Sequence, residues 1–368
     1  MTSSTPGIRR VAGPGHGPNG MPAAIALTPI LSARYRARDL ERIRAAAPGA
    51  RLVMVSSEGL ADGPLDDVEV LLRGFLAAET FDRLLARAPR LAWVHSATAG
   101  VERVLTPAGL ARGLVITNAR GVFSVPIAEY VLMMILAVSR RLPQLLELQR
   151  ERTWQPLEGT ELCDVTVGIV GLGSIGGAVA DLARAFGCRV IATRRRPEQG
   201  ESERPEPGAA PGRGGEPSFG SAGRTAPGSL TVWGAERLPD LLAGSDFVVL
   251  ALPLTPGTEG LIDASALEAV KPGAWLINVA RGRLVDERAL LRALRDGPLG
   301  GAVLDTFREE PLPVSSPFYD LPNVIVTPHT SWSSSRVLDR SVELFCENIG
   351  RYARGEPLVN VVDPAAGY

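Results

Sequence analysis

Residues 166–176, Thr-Val-Gly-Ile-Val-Gly-Leu-Gly-Ser-Ile-Gly, carry the strongest indication of the fold. The first part of this stretch is almost wholly apolar, as expected of a parallel strand buried on both faces. Gly171, Gly173 and Gly176 then form a Gly-x-Gly-x-x-Gly turn that leads into a helix of small residues. In such turns the three glycines allow the tight turn, the approach of backbone to a pyrophosphate, and the packing of helix on strand. The stretch therefore predicts a dinucleotide site.

The helix that follows the turn is predicted to bind the phosphates at its first residues, Ser174 and Ile175, because helix N-termini present N–H groups and positive charge. The turn is preceded by a long stretch of chain, so another region must fold before it. A length of 368 residues also exceeds what a single hydrophobic core usually organises. These observations predict two domains.

Strands alternate with helical segments on both sides of the glycine turn, which predicts two α/β domains, the second with a doubly wound parallel sheet. The predicted strands are at 51–55, 68–72, 91–95, 114–118, 189–193, 230–233, 247–252, 274–279, 302–304 and 324–327. Residues 126–148 have apolar helical spacing and predict one long helix. Residues 1–22 and 197–229 are rich in Gly, Pro and Ser, so we expect a disordered tail and a disordered insert.

Composition excludes several classes of function. A net charge of -1 with no long basic run gives no reason to expect nucleic acid or a membrane surface as a partner. No apolar run reaches the length of a membrane helix and the first residues lack a secretory signal, so a cytoplasmic location is expected. Cys163, Cys188 and Cys346 are widely spaced and predicted to be buried thiols, and with only 3 histidines no metal site is predicted.

The second strand of a dinucleotide-binding sheet normally ends in an acidic residue that holds the adenine ribose. Here it ends in three arginines instead, Arg194, Arg195 and Arg196. A guanidinium suits a 2′-phosphate, so the sequence favours NADP(H) over NAD(H). Three solvated arginines at the mouth of a flexible loop remain the alternative.

Several further stretches carry a resemblance that extends from residue 24 to 363. They are Ala99-Gly100-Val101-Glu102, Asn118-Ala119-Arg120-Gly121, Ala128-Glu129-Tyr130, Asn278-Val279-Ala280-Arg281-Gly282, Val285-Asp286-Glu287, Leu304-Asp305, Glu309-Glu310-Pro311-Leu312-Pro313 and Thr327-Pro328-His329. In these the chain resembles the D-isomer specific 2-hydroxyacid dehydrogenase family, which includes glyoxylate and hydroxypyruvate reductases. The resemblance implies a flavodoxin-like substrate domain at 23–126 and 331–368, with a Rossmann-type NAD(P)-binding domain at 127–330 inserted into it.

The resemblance maps a catalytic trio onto Arg281, Glu310 and His329. Reduction of a 2-oxo acid needs a hydride, a proton for the forming alkoxide, and positive charge beside the carboxylate and carbonyl. His329 suits proton donation, Glu310 would orient it, and Arg281 presents a planar fork. Taken singly, each residue also has an ordinary structural explanation.

Other site residues follow from the same resemblance. The substrate carboxylate is expected at the backbone N–H groups of Thr98, Ala99, Gly100 and Val101, together with Arg281. The cofactor is expected beside Leu252, Pro253, Thr258, Ala280 and Asp305. His95 lies next to the substrate loop and either faces the substrate or is structural. Trp332 and Trp154 either shape the pocket or pack between the domains, and packing is the preferred interpretation.

The predicted function is interconversion of a small 2-oxo acid and a D-2-hydroxy acid by an NAD(P)-dependent oxidoreductase of the glyoxylate or hydroxypyruvate type. The resemblance also implies a homodimer formed through the nucleotide domain near the 126–148 helix. Two alternatives stay open: a nucleotide-sensing binding protein like the corepressors that share this fold, and a phosphonate- or formate-type dehydrogenase.

Overall fold

The computed structural model of the chain describes residues 17–30, 35–195 and 228–367. Most of the predicted tail at 1–22 and of the predicted insert at 197–229 lies outside these residues. In the described part of the tail, Pro18–Gly20 forms a short 3-10 helix and Met21 packs against buried apolar residues. The described structure therefore begins before residue 23, because Met21 has apolar neighbours to pack against.

The strands of the described residues, in chain order, are β1 Ala24–Leu27, β2 Arg51–Met54, β3 Val68–Arg73, β4 Trp93–Ser96, β5 Val115–Asn118, β6 Thr166–Val170, β7 Arg189–Arg194, β8 Leu230–Gly234, β9 Phe247–Leu250, β10 Trp275–Asn278, β11 Gly301–Leu304 and β12 Val324–Val326. The helices are α1 Ala37–Ala46, α2 Ala78–Arg87, α3 Pro107–Ala111, α4 Ser124–Ser139, α5 Leu142–Arg150, α6 Ser174–Ala185, α7 Leu238–Gly244, α8 Ala264–Glu268, α9 Glu287–Arg295 and α10 Val337–Ala353.

The chain divides into two compact units, one built from Met1–Phe123 with Ser334–Tyr368 and the other from Ser124–Ser333. The first unit thus takes both ends of the chain and the second is a single continuous segment.

The first unit contains, among its described residues, a five-stranded parallel sheet in the order β2-β1-β3-β4-β5. This is the flavodoxin-like order, as the sequence predicts. The last helix, α10, covers this sheet with an apolar stripe of Val342, Phe345, Ile349 and Tyr352, which pack with side chains of β1 and β3. Their helical spacing places them on one face, and burial of each large apolar side chain contributes roughly 1.5–3 kcal/mol.

The second unit contains a seven-stranded parallel sheet in the order β12-β11-β10-β9-β6-β7-β8. The order in which successive strands are added reverses between β6 and β9: β7 and β8 lie on one side of β6, and β9 to β12 lie on the other. This is the doubly wound arrangement of dinucleotide-binding folds with one added strand. The α/β fold class predicted from the sequence is therefore confirmed. The strands are in register at their carboxyl ends, where Asn278 of β10 pairs with Leu304 of β11 and Leu304 pairs with Val326 of β12. The loops that follow these three strands consequently begin side by side.

The predicted single helix at 126–148 is wrong, since the structure contains two helices there. α4 ends at Ser139, Arg141 has a left-handed φ of 58°, and α5 begins at Leu142. Pro143 lies in the first turn of α5, where its missing N–H is tolerated, whereas inside a continuous helix it would remove a hydrogen bond. The apolar spacing continues across the break, so periodicity alone does not reveal it.

Two expectations about individual side chains are also corrected. Cys188 is buried but Cys163 is exposed and Cys346 is half-buried, so the thiols do not share one environment. Trp154 is 100% exposed among the described residues rather than packed. Composition does not show either result, because burial depends on neighbours that are distant in sequence.

Candidate active site

The glycine turn after β6 has the packing that its motif predicts. Gly171 has a φ of +102°, and a Cβ there would lie 2.8 Å from the Ala251 carbonyl oxygen. A Cβ on Gly176 would lie 2.1 Å from the Gly171 carbonyl oxygen. A Cβ on Gly173, in contrast, would meet nothing within 4 Å. The first and third glycines are therefore required by the protein, and the second leaves room beside the backbone.

The helix α6 begins at Ser174, and its N-cap residue Gly173 provides no side-chain acceptor for the N–H groups of the first turn. Gly173 and Ser174 are exposed and Ile175 is half-buried. Uncapped N–H groups at a helix N-terminus, next to open space, suit an anion. The residues present thus fit the pyrophosphate of a dinucleotide.

The end of β7 lies next to the glycine turn. The Thr193 carbonyl oxygen accepts hydrogen bonds from the N–H groups of Gly171 at 3.2 Å and Leu172 at 3.0 Å. Arg194 follows directly and is half-buried, and Arg195 is exposed. The first arginine is therefore fixed at the mouth of the turn by its backbone, whichever ligand it meets.

The other residues expected at the cofactor lie along the same edge of the sheet. Leu252 and Pro253 follow β9, and the Thr258 hydroxyl closes this loop by donating to the Pro253 carbonyl oxygen at 2.8 Å. Ala280 follows β10, and its N–H donates to Asn278 Oδ1 at 3.1 Å. The structure thus brings these residues to the edge that carries the glycine turn.

Arg281 lies three residues after the end of β10, in a loop that is held from both sides. Asn278 Nδ2 donates to the Arg281 carbonyl oxygen at 3.0 Å, and Arg281 Nη1 donates to the Ala280 carbonyl oxygen at 2.8 Å. Gly282 then passes so close to the next loop that a Cβ would lie 1.9 Å from the Phe307 carbonyl carbon. This close approach joins the Arg281 loop to the loop after β11.

Glu310 and His329 form a pair between the loops after β11 and β12. Glu310 Oε2 lies 2.8 Å from His329 Nδ1, and Glu310 Oε1 accepts the Phe307 N–H at 3.0 Å. Their side chains are 38% and 40% exposed, respectively, so both can be reached from outside. His329 has a φ of 51°, in the left-handed region that non-glycine residues seldom adopt.

The surroundings of Glu310 act on its pKa in opposite directions. Burial raises the pKa of Glu310. The hydrogen bond with His329, the Phe307 N–H and the positive charges of His329 and Arg281 together lower it by more, so the net shift is downward. Glu310 is therefore ionised at neutral pH. It presents a carboxylate that accepts from the His329 imidazole and fixes its orientation.

Asp305, expected at the cofactor, is engaged within the protein. It is 0% exposed, Oδ1 accepts from the Thr327 hydroxyl at 2.6 Å and the Thr330 N–H at 2.8 Å, and Oδ2 accepts the Ser331 N–H at 3.0 Å. Thr327 is linked in turn to Tyr130, with 2.6 Å between their oxygens. Its contacts connect β11 to the loop that carries His329.

The residues expected at the substrate carboxylate lie in the first unit, in the loop after β4. The Thr98 hydroxyl donates to the Gly100 carbonyl oxygen at 2.7 Å, and Asn118 Nδ2 donates to the Ala99 carbonyl oxygen at 2.9 Å. The Ala119 N–H donates to the Thr98 carbonyl oxygen at 3.2 Å, and Val101 is buried. The shape of this loop is thus fixed from within its own unit.

Of the two roles considered for His95, the structure supports the structural one. It is completely buried on β4, its Nδ1 lies 2.8 Å from Thr117 Oγ1, and its ring contacts Trp93 and Phe345. Burial lowers its pKa to about 3, so the ring is neutral at physiological pH. Such a group does not donate protons to a substrate.

Neither a metal-binding cluster nor a membrane-spanning helix is found among the described residues. Across 17–30, 35–195 and 228–367 no three His, Cys, Asp or Glu side chains are grouped so that they could hold a metal ion. In the same part of the chain every helix is too short or too polar to cross a bilayer.

The sequence did not reveal the roles of four residues beside the trio. Asn278 closes the Arg281 loop, Gly282 allows the close approach of Phe307, and Tyr130 with Thr327 links to Asp305. The signal for Gly282 was its place directly after an arginine at a strand end. Nothing in the sequence connects Tyr130 with Thr327, which lie far apart in the chain.

The two parallel sheets, the glycine turn and the charged loops at one sheet edge define a two-unit α/β protein of the dinucleotide-binding class. Residues 132–210 and 226–331 match the description "D-isomer specific 2-hydroxyacid dehydrogenase, NAD binding domain". The chain belongs to the D-isomer specific 2-hydroxyacid dehydrogenase family, as its sequence resemblance predicts.

Individual relatives are similar over most of the chain. A D-3-phosphoglycerate dehydrogenase of Mycobacterium bovis is 34% identical over 89% of this chain, which spans only 54% of that protein's length. A glyoxylate reductase of Korarchaeum cryptofilum is 31% identical over 88% of this chain and 90% of its own length. Among solved structures, a D-isomer specific 2-hydroxyacid dehydrogenase of Xanthobacter autotrophicus Py2 in complex with NADPH and MES is 32% identical, with a TM-score of 0.76, covering 94% of this chain and 99% of that one.

Proposed function

We propose that this chain is an NAD(P)-dependent oxidoreductase that interconverts a 2-oxo acid and a D-2-hydroxy acid, with glyoxylate or hydroxypyruvate as the preferred substrate type. The observation that carries the proposal is the pair of His329 Nδ1 and Glu310 Oε2 at 2.8 Å, next to the Arg281 loop at the carboxyl edge of the nucleotide sheet. Family membership and the similarity to a glyoxylate reductase support the substrate type.

In this proposal His329 is the proton donor. Its Nδ1 is directed to Glu310, so Nε2 is the ring atom that presents a proton to the forming alkoxide. The Glu310 carboxylate accepts from Nδ1 and keeps the ring in one orientation. Proton transfer by a positioned histidine contributes typically about 10²–10⁴-fold to a rate.

Arg281 is the proposed electrophilic group. Its guanidinium is a planar fork that can bridge the substrate carboxylate and the carbonyl oxygen, and the bond from Nη1 to Ala280 anchors that fork. Positive charge beside the carbonyl oxygen stabilises the negative charge that develops during reduction. For the loop of the first unit we propose that the backbone N–H groups of Thr98, Ala99, Gly100 and Val101 bind a substrate carboxylate, since the carbonyl oxygens of that loop are used within its unit.

A nicotinamide dinucleotide bound at the glycine turn supplies the hydride in this chemistry. We propose that Gly171, Gly173 and Gly176 with Ser174 and Ile175 hold its pyrophosphate. The ribose and nicotinamide contacts are proposed for Leu252, Pro253, Thr258, Ala280 and Asp305. The described bonds of Asp305 support a second task for this residue, which is to shape the His329 loop.

We propose NADP(H) as the preferred cofactor, because Arg194 begins beside the turn and offers a guanidinium where NAD-specific proteins have an acid. The similarity to a structure in complex with NADPH supports this preference. Replacing Arg194 by Ala removes charge-assisted hydrogen bonds worth about 1.5–3 kcal/mol, which corresponds to a loss of roughly tenfold to hundredfold in affinity for NADPH. Affinity for NADH is expected to change little.

A matched control is Arg189→Ala, which removes an arginine from the opposite end of the same strand, where its side chain bonds Thr166. Binding of both cofactors is measured by fluorescence titration. Equal losses for NADPH and NADH in Arg194→Ala would contradict the preference, as would a loss of the same size in Arg189→Ala.

The direct test of the proposed activity is the rate of NADPH and NADH oxidation by the full chain, followed by absorbance with 2-oxo acids from glyoxylate to bulky aromatic ones. Turnover that falls as the substrate side chain grows supports the proposal. Cofactor binding without turnover of any 2-oxo acid refutes it and favours the nucleotide-sensing alternative.

We also propose a homodimer. Large apolar side chains of α4, α5 and the following segment are exposed in the chain: Met133, Leu142, Leu145, Leu146 and Trp154. Several exposed large apolar side chains within one stretch of chain suit an interaction site, and closed two-fold symmetry makes a second copy the simplest occupant. Light scattering is expected to give twice the chain mass, and Leu145→Glu is expected to reduce it. A monomeric mass for the unmodified chain contradicts the dimer.

A further inference from the structure

A chain of hydrogen bonds, buried at Tyr130 and Asp305 and half-buried at Thr327, runs from α4 to the loop that carries His329. The Tyr130 hydroxyl lies 2.6 Å from Thr327 Oγ1, and the Thr327 hydroxyl donates to Asp305 Oδ1 at 2.6 Å. A hydroxyl has one proton, so Thr327 can only accept from Tyr130. The direction of the chain is therefore set: Tyr130 donates to Thr327, and Thr327 donates to Asp305.

The far end of this chain encloses His329. Asp305 accepts the N–H groups of Thr330 and Ser331, which follow His329, while Thr327 precedes it. The His329 N–H donates to the Thr327 carbonyl oxygen at 3.0 Å. One carboxylate thus ties together the residues on both sides of the imidazole.

His329 needs this support because of its backbone conformation. Its φ of 51° lies in the left-handed region, which is unfavourable for a residue with a Cβ. Such a conformation persists only where surrounding contacts impose it. The bonds of Asp305 and Thr327 are the contacts that do so here.

The hydrogen bonds from Tyr130 through Thr327 to Asp305 are shielded from water at both ends of the series. Tyr130 is 9% exposed and Asp305 is 0% exposed, so water competes little for their bonds. Burial raises the pKa of Tyr130 to about 12; the bond with Thr327 acts against this and the charge of Asp305 adds to it. The phenol therefore keeps its proton and remains a donor throughout the neutral range.

We propose that Tyr130 is a positioning residue for the reaction: through Thr327 and Asp305 it holds residues 327–331 in the conformation that keeps the His329 imidazole against Glu310. The inference rests on the proposed function, in which His329 donates the proton. It adds a residue of α4, Tyr130, whose described hydrogen bond goes to Thr327 rather than to a member of the trio.

The variant that tests this is Tyr130→Phe, which keeps the ring and removes only the hydroxyl. In the full chain, kcat for 2-oxo acid reduction is expected to fall roughly threefold to tenfold, since one hydrogen bond contributes about 0.5–1.5 kcal/mol. The KM for the 2-oxo acid should stay close to that of the unmodified protein. Thr327→Val should have a larger effect, and Thr327→Ser, which keeps the hydroxyl, should restore activity.

A pH profile separates positioning from simple stabilisation. Glu310 faces His329 and Arg281, and both lower its pKa. If the imidazole moves away in Tyr130→Phe, the pKa of Glu310 rises towards its usual value and the acid limb of kcat moves to higher pH. A purely structural role would lower the unfolding temperature and leave this limb unchanged.

The matched control is Tyr35→Phe, because the Tyr35 hydroxyl also makes one hydrogen bond, to the Thr28 carbonyl oxygen at 2.9 Å, in the other unit. It should change neither kcat nor the acid limb. An unmodified kcat and acid limb in Tyr130→Phe, or an equal change in Tyr35→Phe, overturns the inference.

A readout without turnover keeps the two proposals distinguishable. The chain has only 3 histidines, so NMR of ring-labelled histidine gives few signals, and loss of one in His329→Gln assigns it. If the unmodified protein reduces no 2-oxo acid, the proposed function fails, and the NMR result decides the structural part of the inference. A displaced or broadened His329 signal in Tyr130→Phe but not in Tyr35→Phe supports it, and an unchanged signal overturns it.

Discussion

Two histidines lie near the carboxyl ends of parallel strands in this chain, one in each unit, and their environments are opposite. His95 is 0% exposed among Trp93 and Phe345, and burial lowers its pKa to about 3. His329 is 40% exposed and its Nδ1 lies 2.8 Å from a carboxylate. One ring is held neutral in an apolar core, and the other is held beside a negative charge.

The comparison teaches that strand-end position alone does not identify an acid–base residue. Both sheets are parallel and both bring loops to their carboxyl edge. In the second unit a carboxylate and an arginine come from adjoining loops, whereas the described contacts of His95 are Thr117, Trp93 and Phe345. The partner of the histidine, rather than the histidine, therefore distinguishes the two sites.

The largest expected effect separates the two histidines directly. His329→Gln should reduce kcat by about 10²–10⁴-fold, because the proton donor is lost while a similar volume is kept. His95→Phe should leave kcat close to that of the unmodified protein. Both are measured by cofactor oxidation at saturating substrate, and comparable losses in the two variants would remove the distinction drawn here.

A smaller effect is expected at the arginine that belongs to only one of the sites. Arg281→Lys keeps the charge but loses the planar fork, and with it one of two hydrogen bonds to the substrate. We expect kcat/KM for the 2-oxo acid to fall by roughly a hundredfold, as for loss of a charged bond of about 3 kcal/mol. Arg283→Lys is the matched control, since Arg283 pairs with Glu259 instead. A full-activity Arg281→Lys enzyme would show that charge alone suffices.

Removal of the Glu310 carboxylate should lower kcat moderately and change the dependence of kcat on pH. The pKa of Glu310 is raised by burial but lowered more by His329, Phe307 N–H and Arg281, so acid-side activity should persist below the usual range for glutamate. Glu310→Gln is expected to lower kcat about tenfold, as for loss of a charged hydrogen bond of about 1.5 kcal/mol, and to abolish the acid limb. Persistence of that limb in the amide variant would assign it to another group.

The same pair contributes little to stability. A carboxylate with a lowered pKa stabilises the folded state above its usual range, and the contribution is lost as pH falls through the lowered value. Because Glu310 is 38% exposed, solvent screening limits the effect to about 1 kcal/mol or less.

The buried histidine should affect stability and leave activity unchanged. Since its folded pKa is about 3, His95 favours folding above its usual range near neutrality, and this contribution is lost progressively as pH falls towards the lowered value. The slope is at most about 1.4 kcal/mol per pH unit. His95→Phe should therefore reduce the acid sensitivity of the first unit, measured by calorimetry at about pH 7 and about pH 5. Parallel pH dependence in the two proteins would contradict a buried neutral ring.

Much of the fold could be predicted because it depends on local patterns. The strands of both sheets lie close to their predicted positions, since apolar runs bounded by turn residues are read directly from neighbouring positions. The helix at 126–148 could not be predicted correctly from periodicity, because the break at Arg141 concerns backbone direction. Pro143 was the local signal that periodicity outweighed.

The candidate site divides in the same way. Residues in short motifs after strands, such as Arg281 and Glu310, could be proposed from the sequence with the help of the family resemblance. The link from Tyr130 to Thr327 could not, because residues distant in sequence meet only through packing. The exposure of Cys163 and Trp154 was missed for the same reason.

The sequence by itself determined the α/β class, the glycine turn and the order of polar residues after the strands, since these follow from local sterics and periodicity. Tertiary structure alone decided which of those residues meet. Pairing of β10 with β11 and of β11 with β12 aligns the ends of three strands, so the loops carrying Arg281, Glu310 and His329 emerge side by side. Hydrogen-bond register and burial, which act between segments far apart in the chain, made one histidine a partner of a carboxylate and the other part of a core.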